Sequence, residues 1–411
     1  MKKITILIST LILTVTTSVA QTWNIGASND KDVTATLSNG TLTIKGTGDM
    51  RDFDYYNPWS KSYDHNTSIT KIVIEGGVTN ISKSAFAYFK SLTEVIIPNS
   101  VKNIENEAFK ECSGLTTIII PEGVTSIGDV AFSNCHSLTE IIIPKSVTKI
   151  GDYAFASSRG LTKVTMLEGV VSIGRYAFSD CENLMEITIP NSVTTIGETA
   201  FYKCSKLTEV NIPSSLTSIQ GHVFYGCSGL TAITIPSGVT SIGEYAFCSC
   251  EGLTKVIIPK SVTSIGKNAF TDCENLTEVT NFASTPQILP YNAWDGGVFD
   301  GVWIRNVTLN VPAASVDLYK AAREWRDFKI TGMEIIGTET AVQGIVSAQI
   351  SIYPNPTIGV VNISEPSEIK VYSLQGALLY ETFGTQVDLS AYPKGVYQLY
   401  INGEVVKVVK K

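Results

Sequence analysis

The chain has 411 residues, 44% apolar and 17% charged, with 31 Lys and Arg against 38 Asp and Glu for a formal net charge of -7. That balance excludes a disordered chain, which would be poorer in Ile, Leu, Val and Phe and richer in charge. It also argues against nucleic acid as a partner, because a phosphate backbone recruits clustered Lys and Arg, whereas here Lys and Glu are interspersed.

Residues 1–20 read MKKITILISTLILTVTTSVA, with Lys2 and Lys3 ahead of an apolar run and with Ser18 and Ala20 at the -3 and -1 positions before Gln21. This is the pattern of a secretory signal peptide. Thr10, Thr14, Thr16 and Thr17 leave the apolar run too short for a transmembrane helix, and no later stretch is long enough to span a bilayer. Residues 21–68 read as an N-terminal β cap. Within it, VTATLSNGTLTIKG alternates as two strands joined by Asn39-Gly40, a type I′ hairpin signal, followed by the aromatic group Phe53, Tyr55, Tyr56 and Trp59.

From Ile69 a 23-residue phrase recurs without insertion at Leu92, Leu115, Leu138, Leu161, Leu184, Leu207, Leu230 and Leu253, giving nine repeats over residues 69–275. Phe stands at position 18 of every one, from Phe86 to Phe270. A period of this length with an L-x-x-L-x-L core marks a leucine-rich repeat solenoid. One such turn buries too few side chains to offset the ordering of its own backbone, so stability comes from stacking and the ends need caps. Alternation predicts a short parallel strand with positions 4 and 6 inward and positions 3 and 5 outward. Proline then ends the strand in most repeats, as at Pro98, Pro121 and Pro144. The A-F-x-x-C phrase that closes each repeat reads as a short helix or 3-10 turn. Ten strands at about 4.8 Å each imply a continuous sheet roughly 45 Å long.

Seven cysteines, from Cys112 to Cys273, share position 21, and only Cys248 is out of register. Equivalent side chains on adjacent rungs point in parallel, which suits a buried ladder of free thiols better than disulfides. Residues 276–336 read as a degenerate tenth repeat and a helical cap. There VPAASVDLYKAAREWRDF forms one amphipathic helix with Ser315 as N-cap and Val316, Leu318, Tyr319, Ala322 and Trp325 on its apolar face.

No catalytic constellation, cofactor fingerprint or metal motif is present. His65, His136 and His222 are the only histidines, and His136 and His222 read as surface residues. Asp30-x-Asp32 and Asp52-x-Asp54 lack the rest of a calcium loop. The outward strand positions are more informative. Val73, Ile96, Ile119 and Ile142 occupy position 5 in consecutive repeats, bordered at position 3 by Glu94, Glu140 and Lys163, after which Thr165, Thr188, Asn211 and Thr234 take over, with Ile257 isolated. An exposed apolar stripe with a charged rim marks a protein-binding face, although the same residues also suit strands for their β-propensity alone. A carbohydrate- or matrix-binding reading would rest on a row of Tyr153, Tyr176 and Tyr245 at position 16. An enzyme reading would place its site in the irregular segment 281–310, with Asp295 and Asp300.

Residues 337–349 read as a linker, and residues 350–411 as a small β-sandwich of short alternating strands. The fold class is therefore a leucine-rich repeat solenoid, mainly β with short helical or 3-10 turns, plus a C-terminal β-sandwich.

The repeat L-T-E-V-x-I-P-x-S-V-T-S-I-G-x-x-A-F-x-x-C resembles that of BspA-like leucine-rich repeat proteins, with Leu167 in place of one proline and Gln220 of one glycine. Residues 350–411 resemble the C-terminal sorting domain of the type IX secretion system. That match rests on Tyr353-Pro354-Asn355-Pro356, Val371-Tyr372 with Gly376, Asp388-Leu389-Ser390, Lys394-Gly395-Val396-Tyr397 and the basic run from Lys407 to Lys411. The first resemblance implies a non-enzymatic, adhesin-like surface protein, without cofactor, whose partner is a host or neighbouring-cell surface or matrix protein. The second implies passage across the outer membrane of a Gram-negative bacterium by the type IX machinery, followed by surface attachment or release.

Overall fold

A computed structural model describes residues 20–53, 57–59, 68–292, 296–323, 325–333, 352–353, 360–373, 378–401 and 404–410. The expected signal peptide, apart from Ala20, and the 337–349 linker lie outside the described residues, as do Tyr55, Tyr56, His65 and Asp295. The chain divides into two compact units, residues 1–332 and 333–411. Among the described residues no helix is long and apolar enough to cross a membrane.

Unit 1 is the solenoid. Its rungs follow the sequence alternation, as the strand Glu140–Ile143 shows with exposed and buried residues in strict turn. Ile141 and Ile143 point inward, joined by Leu138, Val147, Ile150, Ala154 and Phe155 from the same rung. Strands of successive rungs pair in parallel with equivalent residues opposite, for example Lys163 with Glu140 and with Glu186. A second ladder of two-residue strands runs along another side through Ile81, Ile104, Ile127, Ile150, Ile173 and Ile196.

The expected single sheet is instead three. The strand ladder stops at the rungs beginning Leu115 and Leu207, where neither Thr117–Ile120 nor Glu209–Ile212 is a strand. In the latter rung Asn211 carries the link itself, its Nδ2 donating to the Ile189 carbonyl at 2.8 Å. A side-chain amide there substitutes for the backbone ladder. The second ladder also breaks there, between Thr195–Ile196 and Ser218–Ile219.

The third side corrects the expected helix. Positions 16 and 20 of each rung are left-handed, usually without glycine, as at Tyr153 (φ 57) and Ser157 (φ 58). The backbone N–H groups of positions 16, 18 and 20 then donate to the next rung: Tyr153 to Arg175 at 2.8 Å, Phe155 to Ala177 at 2.8 Å and Ser157 to Ser179 at 2.7 Å. A helical turn would spend those donors within its own rung. Left-handed residues cost on the order of 1–2 kcal/mol each, a cost that a repeating inter-rung hydrogen bond offsets while satisfying buried backbone.

Inside this wall the phenylalanines form a column. Phe132, Phe155 and Phe178 stack with centroids 5.2 and 5.1 Å apart and rings within 6° of parallel. The column begins on Trp59, 6.2 Å from Phe86, and Asn57 and Trp59 donate to the Ala85 carbonyl at 3.3 Å each. The N-terminal cap has the expected hairpin, β2 (Val33–Ser38) and β3 (Thr41–Gly46) around Asn39 and Gly40, with an additional strand β1 (Gln21–Asn24) on β2. Strand β3 then pairs in parallel with the first repeat strand.

At the other end Phe299 stacks on Phe270 at 5.4 Å, so the tenth turn keeps its place in the column. Trp325 and Phe328 close it edge-on. The single long helix expected here is a 3-10 turn (Ala313–Ser315) leading into a six-residue helix α1 (Val316–Ala321). Ser315 makes no N-cap bond; its hydroxyl donates to the Ser284 carbonyl at 2.8 Å, and Leu318 is exposed. The cap is pinned by side chains reaching back to the 281–290 segment, with Tyr319 donating to Ala283 and Trp325 to Gln287. These tertiary anchors, rather than helix length, set its shape.

The described strands of unit 2 are joined by antiparallel pairing. Its long strand, Val360–Ser373, pairs with Leu378–Asp388 through register shifts between Asn362 and Ser367 and between Val371 and Tyr372. Val361, Ile363, Ile369, Val371, Val387, Leu399 and Ile401 form its own core.

Candidate functional site

The outward strand positions of the early rungs are the candidate site. Ile96, Ile119 and Ile142 are 44%, 80% and 61% exposed, the largest exposures among the repeat isoleucines. They stand on consecutive rungs because the period places position 5 of each turn above the last. Val73 extends the row half-buried; Thr165, half-buried, and Thr188, exposed, follow it. Ile257, expected to face outward alone, is buried at 6% exposure, so the stripe is confined to the N-terminal half of the solenoid.

Ion pairs between rungs organise its border. Lys71 pairs with Glu94 at 2.9 Å and Lys163 with Glu186 at 2.6 Å, while Glu140 is exposed. These pairs are solvent-exposed and of little worth to stability; their consequence is a rim of fixed charge. On the position-2 side, Thr93 and Thr162 donate their hydroxyls to the Thr70 and Thr139 carbonyls at 3.1 and 3.0 Å. Those hydroxyls are satisfied within the solenoid, so a partner can cover them at low desolvation cost. The arrangement is an open apolar ridge with a mixed charged edge, suited to a macromolecular surface.

The position-16 tyrosines bear on the carbohydrate reading. Tyr153 and Tyr176 lie 4.6 Å apart and 4° from parallel, so each ring covers the other's face. Tyr245 stands apart from them and stacks on His222 at 4.9 Å, which in turn meets Tyr225. His222 is therefore part of an aromatic stack rather than a plain surface histidine. Sugar rings dock on open aromatic faces, and here the facing sides of the stack are occupied.

The cysteines have a second role that spacing did not reveal. All eight are free and buried, and each in-register thiol donates to the phenylalanine carbonyl of the preceding rung, as Cys135 does to Phe109 at 3.3 Å and Cys181 to Phe155 at 3.3 Å. Where serine replaces cysteine, Ser158 makes the same bond to Phe132 at 2.8 Å. From the second repeat onward position 21 thus holds a small side chain with a donor, which the Ser158 substitution signals in the sequence, while the first repeat has the buried Phe89 there. Burial pushes the Cys135 and Cys181 thiols up to about 12, which keeps them protonated and unreactive. The folded protein is expected to resist a charged disulfide reagent at neutral pH, and all eight thiols to react in denaturant; thiol titration checks both.

Among the described residues no group of three His, Cys, Asp or Glu could hold a metal ion. Asp30 lies 3.8 Å from Arg51, and Asp52 accepts the Lys83 backbone N–H. An open depression of about 400 Å³ beside the N-terminal cap is lined by Asp49, Asp52, Lys83 and Glu105. Burial, with help from Asp52 and Asp49, raises the Glu105 carboxyl. In segment 281–310 the described residues build the cap: Asn281 donates to Gln287 at 2.8 Å and Asp300 offers its carbonyl to Asp272.

In unit 2, Tyr353 lies in the strand Ile352–Tyr353, Gly395, Val396 and Tyr397 open the strand Gly395–Ile401, and Lys407 lies opposite Gln398 on the strand Glu404–Lys410. Pro354, Asn355, Pro356 and Gly376 lie outside the described residues.

Residues 60–185 and 171–296 match the model of the BspA type leucine rich repeat region in six copies, and residues 351–411 match that of the secretion system C-terminal sorting domain. Among solved structures the chain is similar to a leucine-rich repeat protein from Bacteroides ovatus, with 24% identity over 74% of this chain and 99% of that one and a TM-score of 0.42. It is also similar to a leucine rich cell surface protein from Faecalibacterium prausnitzii, with 26% identity, 61% and 93% coverage and a TM-score of 0.33. A third is the pneumococcal vaccine antigen PcpA, with 19% identity, 74% and 98% coverage and a TM-score of 0.36. No curated protein matches the chain.

Proposed function

Because the chain belongs to the BspA-type leucine-rich repeat family and carries a secretion sorting domain, we propose that it is a surface-displayed recognition protein that grips a protein partner with the apolar face of its second to fourth rungs. The sorting domain routes it through type IX secretion to the cell surface or the extracellular space. The partner is a surface or matrix protein of a host or neighbouring cell, and binding involves no turnover.

One observation carries this reading: three large aliphatic side chains stand exposed on consecutive rungs, Ile119 at 80%. Exposed apolar contiguity with a charged rim is what partner sites share. The test compares capture by residues 21–340 of the native sequence with capture by Ile96→Glu combined with Ile119→Glu, using host or neighbouring-cell extracts. The double variant is expected to lose its specific partner, with affinity down at least tenfold, since buried unpaired carboxylates oppose docking. It should melt like the native protein, because neither side chain is in the core. Equal capture by both proteins would sink the reading.

A further inference from the structure

The connection from Ser390 to Lys394 in unit 2 is held in a way that a plain link between strands does not require. Lys410 is 9% exposed, and its ammonium donates to the carbonyls of Leu389 at 2.8 Å, Ser390 at 3.0 Å and Tyr392. Lys has three N–H donors, and all three enter one short stretch of backbone. Burying an ammonium is costly unless it is fully bonded, and an apolar residue at the same place in the sheet would avoid that cost. Two more side chains fix the same stretch. Asp388 accepts the Ser390 N–H at 2.7 Å, and the Tyr397 hydroxyl donates to the Pro393 carbonyl. The register that sets Gly395 opposite Lys410 brings the ammonium to the loop's exit. Its carbonyls being drawn inward, the loop displays Ser390, Ala391, Pro393 and Lys394, all exposed.

We propose that the loop from Ser390 to Lys394 is the surface by which the secretion machinery recognises unit 2, and that Lys410 is a positioning residue that holds this loop in the shape that is read. The inference rests on the sorting-domain assignment and is independent of the apolar face of the solenoid. A loop ordered in advance loses little entropy on docking, which gives its three internal clamps a purpose. Its tip is small and neutral at Ser390 and Ala391 and positive at Lys394, so it fits a shallow protein pocket with an acidic rim.

The experiment uses the full chain in cells with a working type IX apparatus, measuring the exported fraction together with the melting and amide exchange of the purified protein. Ala391→Glu, which puts a negative charge on an exposed position against an acidic rim, is expected to cut export at least tenfold while unit 2 melts as before. Lys410→Met is expected to cut export to the same degree and to speed exchange across Leu389–Lys394, leaving Leu399 and Ile401 protected. Normal export of Ala391→Glu overturns the loop as the recognised surface. Normal export of Lys410→Met overturns the clamp. If Lys410→Met unfolds unit 2, Ala391→Glu decides alone. Export of a chain lacking residues 345–411 would instead refute the sorting assignment itself, a different failure.

Discussion

Phe155→Ala is expected to destabilise the solenoid by about 3–5 kcal/mol, the range for emptying a fully buried aromatic site. Phe155 is fully buried and sandwiched between Phe132 and Phe178, with centroids 5.2 and 5.1 Å away. Its carbonyl also accepts the Cys181 thiol and its N–H donates to Ala177, so three rungs meet at this residue. The left-handed residues on either side leave the turn little freedom to collapse into the cavity. Because each rung contacts only its neighbours, the loss falls on one place in the stack, and the unfolding transition is expected to broaden or split rather than only shift. Denaturant titration of native and variant chains, read by near-UV absorption or circular dichroism, checks both the midpoint and the shape. Ile119→Ala is the control: at 80% exposure its effect should stay within about 0.5 kcal/mol.

A chain that stops at Gly344 is expected to remain inside the cell envelope, with its exported fraction reduced at least tenfold. The hydrophobic core of unit 1 runs from Ile25 to Phe328 and contains none of the residues from Val361 to Val408 that form the second core. The truncated protein should therefore fold and melt as unit 1 does in the full chain, so that its retention reports sorting rather than misfolding. Fractionation and protease accessibility on intact cells measure it. Efficient appearance outside would remove the role given to unit 2.

The stripe and the sorting unit illustrate how far spacing reaches. Ile96, Ile119 and Ile142 were legible as outward residues because strand alternation and an unbroken period fix which way position 5 points. Ile257 obeys the same rule on paper and yet is buried, since its exposure depends on what else the chain brings over that rung. Phe299 is the converse: an insertion shifts it out of register, and it still stacks on Phe270, because an open end of an aromatic column is a favourable place for any ring the chain can deliver. Lys410 looked like one member of a basic run. Its burial against Leu389, Ser390 and Tyr392 follows from strand register across unit 2, which no local pattern records.

What the sequence determined by itself is the repeat, the inward column of Phe, Leu and Ile, and the outward face, since identical turns stacked in register place every side chain beside its own copies. Only the tertiary structure decided how the turns close: left-handed residues direct backbone N–H groups to the next rung, the cysteine thiols reach the carbonyl of the previous one, and at one of the two breaks in the strand sheet the Asn211 side chain supplies the link. The reason is one of direction. Hydrophobic periodicity says which side of the chain is buried, but where each donor finds its acceptor is set by the neighbouring rung.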